Sequence, residues 1–211
     1  MSDSIVVQAP QPGTNQLFLL FHGVGADAAG LVPLAKRLAA EFPQAAVVSV
    51  ASPFASDLGG GAQWFSVRGV TEQNRSERMA PAMPLFAETV RHWQQEAGVA
   101  AQATVLVGFS QGAIMTLESA RLGQGLAGRI VSFAGRFAYL PDAAPAATTI
   151  HLVHGSNDPV IPAANSVAAA QRLQALGAAV TLDVAPGAGH EISPAMMAAA
   201  IGRLRGESAA R

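Results

Sequence analysis

The sequence predicts an α/β fold with a mostly parallel sheet of about seven strands and helices on both faces. Short runs rich in strand-forming residues alternate with longer segments rich in Ala and Leu, which is the order typical of strand–helix units. Most of the short runs are apolar throughout, as expected for strands that are buried on both faces of a sheet. We expect the 211 residues (1–211) to form a single domain.

Each element is predicted from the period of its apolar residues. Short apolar runs predict seven strands, at Ile5–Val7, Gln16–Phe21, Ala46–Ala51, Thr104–Gly108, Arg129–Ala134, Thr149–His154 and Val180–Val184. Apolar residues three and four positions apart predict five helices, at Ala28–Glu41, Glu77–Ala97, Gln111–Leu122, Ala163–Leu176 and Pro194–Leu204. The first strand is expected at an edge of the sheet. The segment from Asp57 to Glu77 fits neither period, so we expect a long loop there.

Composition excludes several classes of protein. The formal net charge is −1, so the composition shows no electrostatic footprint of binding to nucleic acid or to an anionic membrane. The chain has no cysteine, which removes disulfides, thiolate metal sites and a cysteine nucleophile. The first residues lack the basic region of a signal peptide, and no apolar run approaches the roughly 20 residues that span a bilayer. We therefore expect a cytoplasmic protein with no stable membrane association.

The most informative motif is Gly108-Phe109-Ser110-Gln111-Gly112, which follows a predicted strand and opens a predicted helix. A G-x-S-x-G string in this context predicts a nucleophile elbow, a sharp turn that presents a serine above the edge of the sheet. Residues without a Cβ are needed beside such a serine, because the helix must approach the strand closely. The sequence therefore predicts that Ser110 is a catalytic nucleophile.

A serine nucleophile needs a histidine base that is oriented by a carboxylate, and after an elbow the acid precedes the histidine along the chain. Asp158 lies in a turn after the predicted strand Thr149–His154, where it can serve as that acid. Its alternative role is to cap the turn or the next helix. Asp142 and Asp183 are its rivals, but the first lies in a Pro/Ala-rich loop and the second lies inside a strand.

His190 is the predicted base among the five histidines. It follows the last strand, and Gly187 and Gly189 precede it in a turn that can aim the imidazole across the sheet edge. Its alternative is a surface position at the start of a helix. His151 and His154 lie three residues apart on one strand, so they point to opposite faces and cannot both bind one metal ion.

An oxyanion hole requires two backbone N–H donors. The amide of Gln111, directly after the nucleophile, is the first predicted donor. The second is predicted to be the amide of Val24, in the turn His22-Gly23-Val24-Gly25 after an early strand. A phosphate-binding loop is the alternative for this turn, but its spacing matches neither the dinucleotide nor the Walker A pattern.

Four motifs together resemble the phospholipase/carboxylesterase family of α/β-hydrolases, which includes small carboxylesterases and acyl-protein thioesterases. They are His-Gly-Val-Gly-Ala, Gly-Phe-Ser-Gln-Gly, Gly-Ser-Asn-Asp-Pro-Val-Ile-Pro and Gly-Ala-Gly-His-Glu-Ile. The resemblance spans about residues 16–201. It implies an α/β-hydrolase fold with a minimal lid and the triad Ser110, Asp158 and His190. It also implies a small-molecule ester substrate, no metal and no organic cofactor, and the ability to form a homodimer.

Alternatives to a carboxylesterase stay open at this point. An acyl-protein thioesterase or a lysophospholipase would use the same catalytic groups with a different pocket. A catalytically silent binding module would usually lack a triad residue or an elbow glycine, and this chain has both. In the family, an aromatic loop lines the acyl pocket, and the resemblance places Trp64 and Phe65 there. Ordinary packing of a long loop is the alternative for both residues.

Overall fold

The computed structural model describes residues 3–123 and 125–207 of the chain. All seven predicted strands are present, and each lies within one residue of its predicted bounds. Two further two-residue strands form a separate hairpin. The strands are β1 (Ile5–Gln8), β2 (Gln16–Phe21), β3 (Ala45–Val50), β4 (Phe54–Ala55), β5 (Ala62–Gln63), β6 (Thr104–Phe109), β7 (Arg129–Phe133), β8 (Thr149–Gly155) and β9 (Val180–Ala185).

The main sheet has seven strands in the order β1-β3-β2-β6-β7-β8-β9. Strand β1 pairs with β3 in the antiparallel direction, and every other neighbouring pair is parallel. The predicted parallel sheet with one short edge strand is therefore confirmed. Because six strands share one direction, their carboxyl ends meet at a single edge, where α/β proteins place their binding sites.

Within the described residues, six α-helices flank the sheet, and their bounds depart from the sequence prediction by more than one residue in three places. They are α1 (Val32–Glu41), α2 (Arg75–Met79), α3 (Met83–Ala97), α4 (Gln111–Ser119), α5 (Ala164–Ala175) and α6 (Pro194–Leu204). The predicted start at Ala28 is a 3₁₀ turn over Ala28–Leu31, which Asp27 caps through two backbone amides. Helix α4 ends at Ser119 and not at Leu122, because the chain tightens there into hydrogen bonds three residues apart.

The prediction of one helix over Glu77–Ala97 was wrong. The segment contains the end of α2, a 3₁₀ turn over Ala80–Ala82 and then α3. Pro81 and Pro84 lack the N–H that a helix interior requires, so each is tolerated only near the start of a new element. The expected long loop from Asp57 to Glu77 also contains β5 and most of α2. Elements this short have no readable hydrophobic period.

Both faces of the sheet are covered by apolar helices. Along β2, Leu17, Leu19 and Phe21 join the core with α3, α4 and α5, and Phe18 and Leu20 join the opposite core with α1 and α6. Burial on both faces explains why the strand is a continuous apolar run. No helix within the described residues is both long and apolar enough to cross a membrane.

Candidate active site

Ser110 occupies a strained turn between β6 and α4. Its backbone has φ 52° and ψ −114°, a region that residues with a Cβ rarely adopt. Its amide donates to the carbonyl of Phe133 on the adjacent strand at 3.0 Å, and its own carbonyl accepts from Ile114 at 3.0 Å. These two bonds hold the strained residue between sheet and helix, as expected for a nucleophile elbow.

The glycines of the elbow have steric causes. A Cβ on Gly112 would overlap the carbonyl of Phe21, and a Cβ on Gly108 would lie 2.5 Å from backbone atoms of Ala113. Both contacts involve backbone, so a side chain at either position would force α4 away from the sheet. The predicted reason for glycine at these positions, close approach of helix and strand, agrees with this geometry.

Ser110, His190 and Asp158 lie in one hydrogen-bonded chain. The Ser110 hydroxyl donates to His190 Nε2 at 2.9 Å, and His190 Nδ1 donates to Asp158 Oδ2 at 2.8 Å. The other carboxylate oxygen, Oδ1, accepts from the amides of Val160 at 2.8 Å and Ile161 at 2.9 Å. Because an ionised carboxylate only accepts, the imidazole carries its proton on Nδ1 and presents an unprotonated Nε2 to the serine.

The environment of Asp158 keeps it ionised. Burial of its side chain raises the pKa of the carboxyl, but the hydrogen bonds from His190 and from the amides of Ile161 and Val160 lower it more. The net pKa therefore lies below the usual value for Asp. The His190 ring also rests 5.1 Å from the ring of Phe109, which fixes its orientation at the sheet edge.

The rival acids have other partners. Asp183 is held by Arg203 through two hydrogen bonds of 2.9 Å, and the side chain of Asp142 is 93% exposed with Arg172 3.8 Å away. Of the three candidate carboxylates, only that of Asp158 contacts the imidazole of His190. The structure thus brings together the three residues that the sequence singled out.

The turn after β2 lies against Ser110. A Cβ on Gly23 would lie 3.2 Å from Ser110 Cβ, so the glycine allows the backbone to approach. His22 is buried, and its Nδ1 donates to the Gly23 carbonyl at 2.8 Å while its Nε2 accepts from the Ser52 amide at 3.3 Å. The Gly23 carbonyl and the Val24 amide belong to one peptide unit, so this bond orients the predicted oxyanion donor.

The other predicted donor is the backbone N–H of Gln111. Gln111 is the first residue of α4, where N–H groups have no intrahelical acceptor. Burial lowers the pKa of His22, with weaker opposing effects from its bond to Gly23 and from Asp27, so the imidazole is neutral. Gln111 directly follows Ser110, and Val24 directly follows Gly23, whose backbone lies against Ser110. Their role as an oxyanion hole stays a prediction.

Trp64 and Phe65 are packed into the protein. Their exposed fractions are 3% and 5%, and the Trp64 ring contacts Phe21 and Phe86 at centroid distances of 5.3 and 5.9 Å. The Trp64 Nε1 donates to the carbonyl of His22 at 2.8 Å. Both residues also line a surface cavity of about 520 Å³. Packing is thus their visible role, and contact with substrate stays a prediction.

The sequence did not predict the contacts of two side chains, those of Gln111 and His154. The Gln111 amide group accepts from the Trp64 backbone N–H and donates to the Phe65 carbonyl, each at 2.8 Å, and so ties the elbow to the 64–65 loop. His154 is fully buried, with Nε2 3.2 Å from Asp158 Oδ2. The only sequence signal for His154 is its position four residues before the acid.

Comparisons with known proteins identify the family of this chain. The sequence profile of the phospholipase/carboxylesterase family matches residues 2–206, nearly the whole chain. The chain belongs to the phospholipase/carboxylesterase family. The resemblance that the four motifs indicated is therefore confirmed.

Individual relatives extend the family match. Esterase YpfH of Escherichia coli K12 is 50% identical over 203 residues, which are 96% of this chain and 88% of that protein. The crystal structure of esterase PE8 has a TM-score of 0.87 at 26% identity and covers 98% of this chain and 99% of its own. The carboxylesterase of Bacillus cereus has a TM-score of 0.81 at 20% identity, covering 96% and 93%, and supports the α/β-hydrolase fold.

Proposed function

We propose that the protein is a serine carboxylesterase that hydrolyses carboxylic esters through an acyl-enzyme on Ser110. The observation that carries the proposal is the chain of hydrogen bonds from Ser110 Oγ through His190 to the buried carboxylate of Asp158. Membership of the phospholipase/carboxylesterase family and the 50% identity to an E. coli esterase support a carboxylic ester hydrolase. The residues and their roles are our own assignment.

Acylation follows from the direction of the hydrogen bonds. His190 Nε2 removes the proton of the Ser110 hydroxyl as Oγ attacks the ester carbonyl carbon, and Asp158 stabilises the imidazolium that forms. The carbonyl oxygen gains negative charge, and the amides of Val24 and Gln111 are the proposed donors to it. His190 then gives its proton to the departing alcohol oxygen as the ester C–O bond breaks.

Deacylation uses the same groups in reverse order. His190 takes a proton from a water molecule, and the resulting hydroxide attacks the acyl carbon. The proton then returns to Ser110 Oγ as the acid product leaves. The cycle is balanced by one water molecule per ester, and the chemistry requires neither a metal nor an organic cofactor.

For the acyl group, we propose short to medium chains. A thioesterase or lysophospholipase for long chains would need an extended apolar groove near Trp64 and the segment that follows. There, Met79, Met83 and Phe86 are buried in the main core, with exposed fractions of 2%, 8% and 2%. None of the three lines the cavity beside Trp64 and Phe65, which supports the smaller substrate.

The decisive experiment combines Ser110→Ala with p-nitrophenyl esters of two to twelve acyl carbons and a fluorophosphonate label that is located by peptide mass spectrometry. The wild-type protein should carry the label on Ser110 and favour the shorter esters. We expect Ser110→Ala to lose about 10⁵- to 10⁶-fold in kcat and all of the label. Ser132→Ala is the matched control, because Ser132 is buried on the next strand and its hydroxyl has no partner among residues 3–123 and 125–207.

The outcomes of this experiment distinguish between interpretations of the site. Label on Ser110 with a preference for long chains would transfer the proposal to lipid or acyl-protein substrates. Undiminished turnover by Ser110→Ala would refute the nucleophile. The predicted cytoplasmic location and the homodimer stay predictions from the sequence.

A further inference from the structure

His154 lies near the end of β8, beside Asp158, and it has no role in the proposed mechanism. Its side chain is fully buried, and its ring makes contacts on both sides. Nε2 lies 2.7 Å from the carbonyl oxygen of Ile161 and 3.2 Å from Asp158 Oδ2. Nδ1 lies 2.7 Å from the hydroxyl of Ser166, a buried residue of α5.

These contacts define which ring nitrogen carries the proton. The Ile161 carbonyl can only accept, so Nε2 must donate to it. Within the described part of the chain, the Ser166 hydroxyl has no hydrogen-bond partner other than His154 Nδ1. The hydroxyl therefore donates, and Nδ1 is the acceptor. His154 is the neutral Nε2–H tautomer. Its N–H end faces residues 158–161, the turn that carries Asp158 and is called the acid turn below.

The acid turn is held by this ring at a specific point. Ile161 donates its amide to Asp158 Oδ1 at 2.9 Å and accepts at its carbonyl from His154 Nε2 at 2.7 Å. The residue that supports the carboxylate is thus itself fixed by the imidazole. The same Nε2–H lies beside Asp158 Oδ2, the oxygen that accepts from His190, so it also contributes a favourable dipole there.

We propose that His154 is a positioning residue for the catalytic carboxylate. The proposal rests on the assignment of Ser110, His190 and Asp158 made above. Ser166 fixes the tautomer of His154, and His154 fixes both the turn and the charge of Asp158. The triad thereby becomes the outer part of a buried chain of five polar side chains that continues to α5.

Position matters here because the carboxylate has to meet the His190 imidazole at hydrogen-bond distance. A misplacement of about 1 Å in an active site can cost on the order of 10²-fold in rate. Hydrogen bonds in networks with a charged member contribute more than isolated ones. Loss of the His154 N–H should therefore reduce catalysis through Asp158, with little effect on substrate binding.

The test compares two replacements of the same ring. His154→Phe keeps the volume and removes both ring nitrogens, and we expect kcat to fall about 10- to 100-fold with KM changed less than about threefold. His154→Gln keeps an N–H donor near the position of Nε2, and we expect it to recover kcat to within about fivefold of wild type. Recovery by the donor variant is a readout that loss of packing alone would not produce.

His151→Phe is the matched control. His151 is 5% exposed on the same strand, and its ring contacts Thr181 on the neighbouring strand, not the acid turn. We expect this variant to lose stability while it keeps the wild-type kcat. Unfolding midpoints measured for all variants show how much protein is folded in each assay.

Ser166→Ala keeps the test informative if His154→Phe does not fold. Two-bond ¹⁵N–¹H spectra of histidine-labelled protein should show the Nε2–H tautomer of His154 in wild type, with a changed Nδ1 resonance in Ser166→Ala and kcat about two- to fivefold lower. Wild-type kcat in both His154 variants would overturn the proposal, and so would equal losses in the two, or a protonated Nδ1. Such a result would leave the triad standing, because the triad is tested separately, by Ser110→Ala and by Asp158→Asn.

Discussion

The carboxyl edge of the sheet has two sides, one at β8 and β9 and one at β2, and they hold the site by different means. On the side of β8 and β9, Asp158 and His154 are buried and His190 is half-buried. On the side of β2 and the 64–65 loop, aromatic rings pack together, with Trp64 in contact with Phe21 and Phe86. Ser110 lies between them, on the central strand–helix turn.

The two sides differ in what controls their properties. On the polar side, the position of a proton or of a charge decides whether the groups can act, so its properties depend on pH and on single atoms. On the aromatic side, buried area and hydrogen bonds to main-chain atoms dominate, so its properties depend on side-chain volume. Substitutions in the proposed triad and its hydrogen-bond partners should therefore affect the rate, whereas substitutions on the aromatic side should affect stability.

The largest effect is expected on the polar side from Asp158→Asn. An amide in place of the carboxylate favours the wrong His190 tautomer and removes the charge that stabilises the imidazolium, so kcat should fall on the order of 10⁴-fold. Asp142→Asn is the control, since that side chain is 93% exposed. Steady-state kinetics on a short-chain ester measure both variants, and losses of similar size would mean that Asp158 is not the acid.

A second effect on the polar side concerns stability. Burial, together with repulsion from Arg129 and Arg203, lowers the pKa of His151 from 6.5 to about 4, and Asp183 opposes this shift. Between these values the unfolded chain binds a proton that the folded protein does not, so stability falls as pH decreases from about 6.5 to 4. The free energy of unfolding should lose about 3 kcal/mol over this interval.

Urea unfolding of wild type and His151→Gln at pH values between 7 and 4.5 measures this dependence. The variant lacks the titrating ring, so its stability should decrease less than that of the wild type over the same interval. Parallel curves for the two proteins would show that His151 takes up its proton normally in the folded state.

The smallest effect is expected on the aromatic side. Trp64→Phe removes the bond from Nε1 to the His22 carbonyl, which should lower the free energy of unfolding by about 1–2 kcal/mol. Trp93→Phe is the matched control, because the buried Nε1 of Trp93 has no partner within the described residues. The control should be less destabilised in the same denaturation assay. A KM that rises tenfold in Trp64→Phe would instead indicate contact with substrate.

The sequence was sufficient to single out the three residues of the proposed triad, because they follow strand ends. Ser110, Asp158 and His190 come after β6, β8 and β9, and parallel strands bring their carboxyl ends to one edge. The elbow glycines belong to a motif that is local in sequence, but a Cβ on Gly112 would meet the carbonyl of Phe21 on β2, so this steric cause is not local.

The remaining features depend on distant contacts. The two-residue strands β4 and β5 are too short to show a period, and the break at Pro81 interrupts an otherwise helical pattern. His154 and Ser166 have no motif that pairs them, because their contact arises only when α5 packs against β8. The burial of Trp64 likewise depends on Phe86, which is 22 residues away in the sequence.

The link between Gln111 and the 64–65 loop involves only main-chain atoms of that loop. Because Gln111 contacts the N–H of residue 64 and the carbonyl of residue 65, these two bonds do not depend on which side chains the loop carries. Descendants of this enzyme can thus exchange the loop's side chains while the nucleophile turn stays anchored. A designer who grafts a new loop needs to conserve its backbone path and the glutamine, and proline at position 64 would remove the N–H that donates to the glutamine.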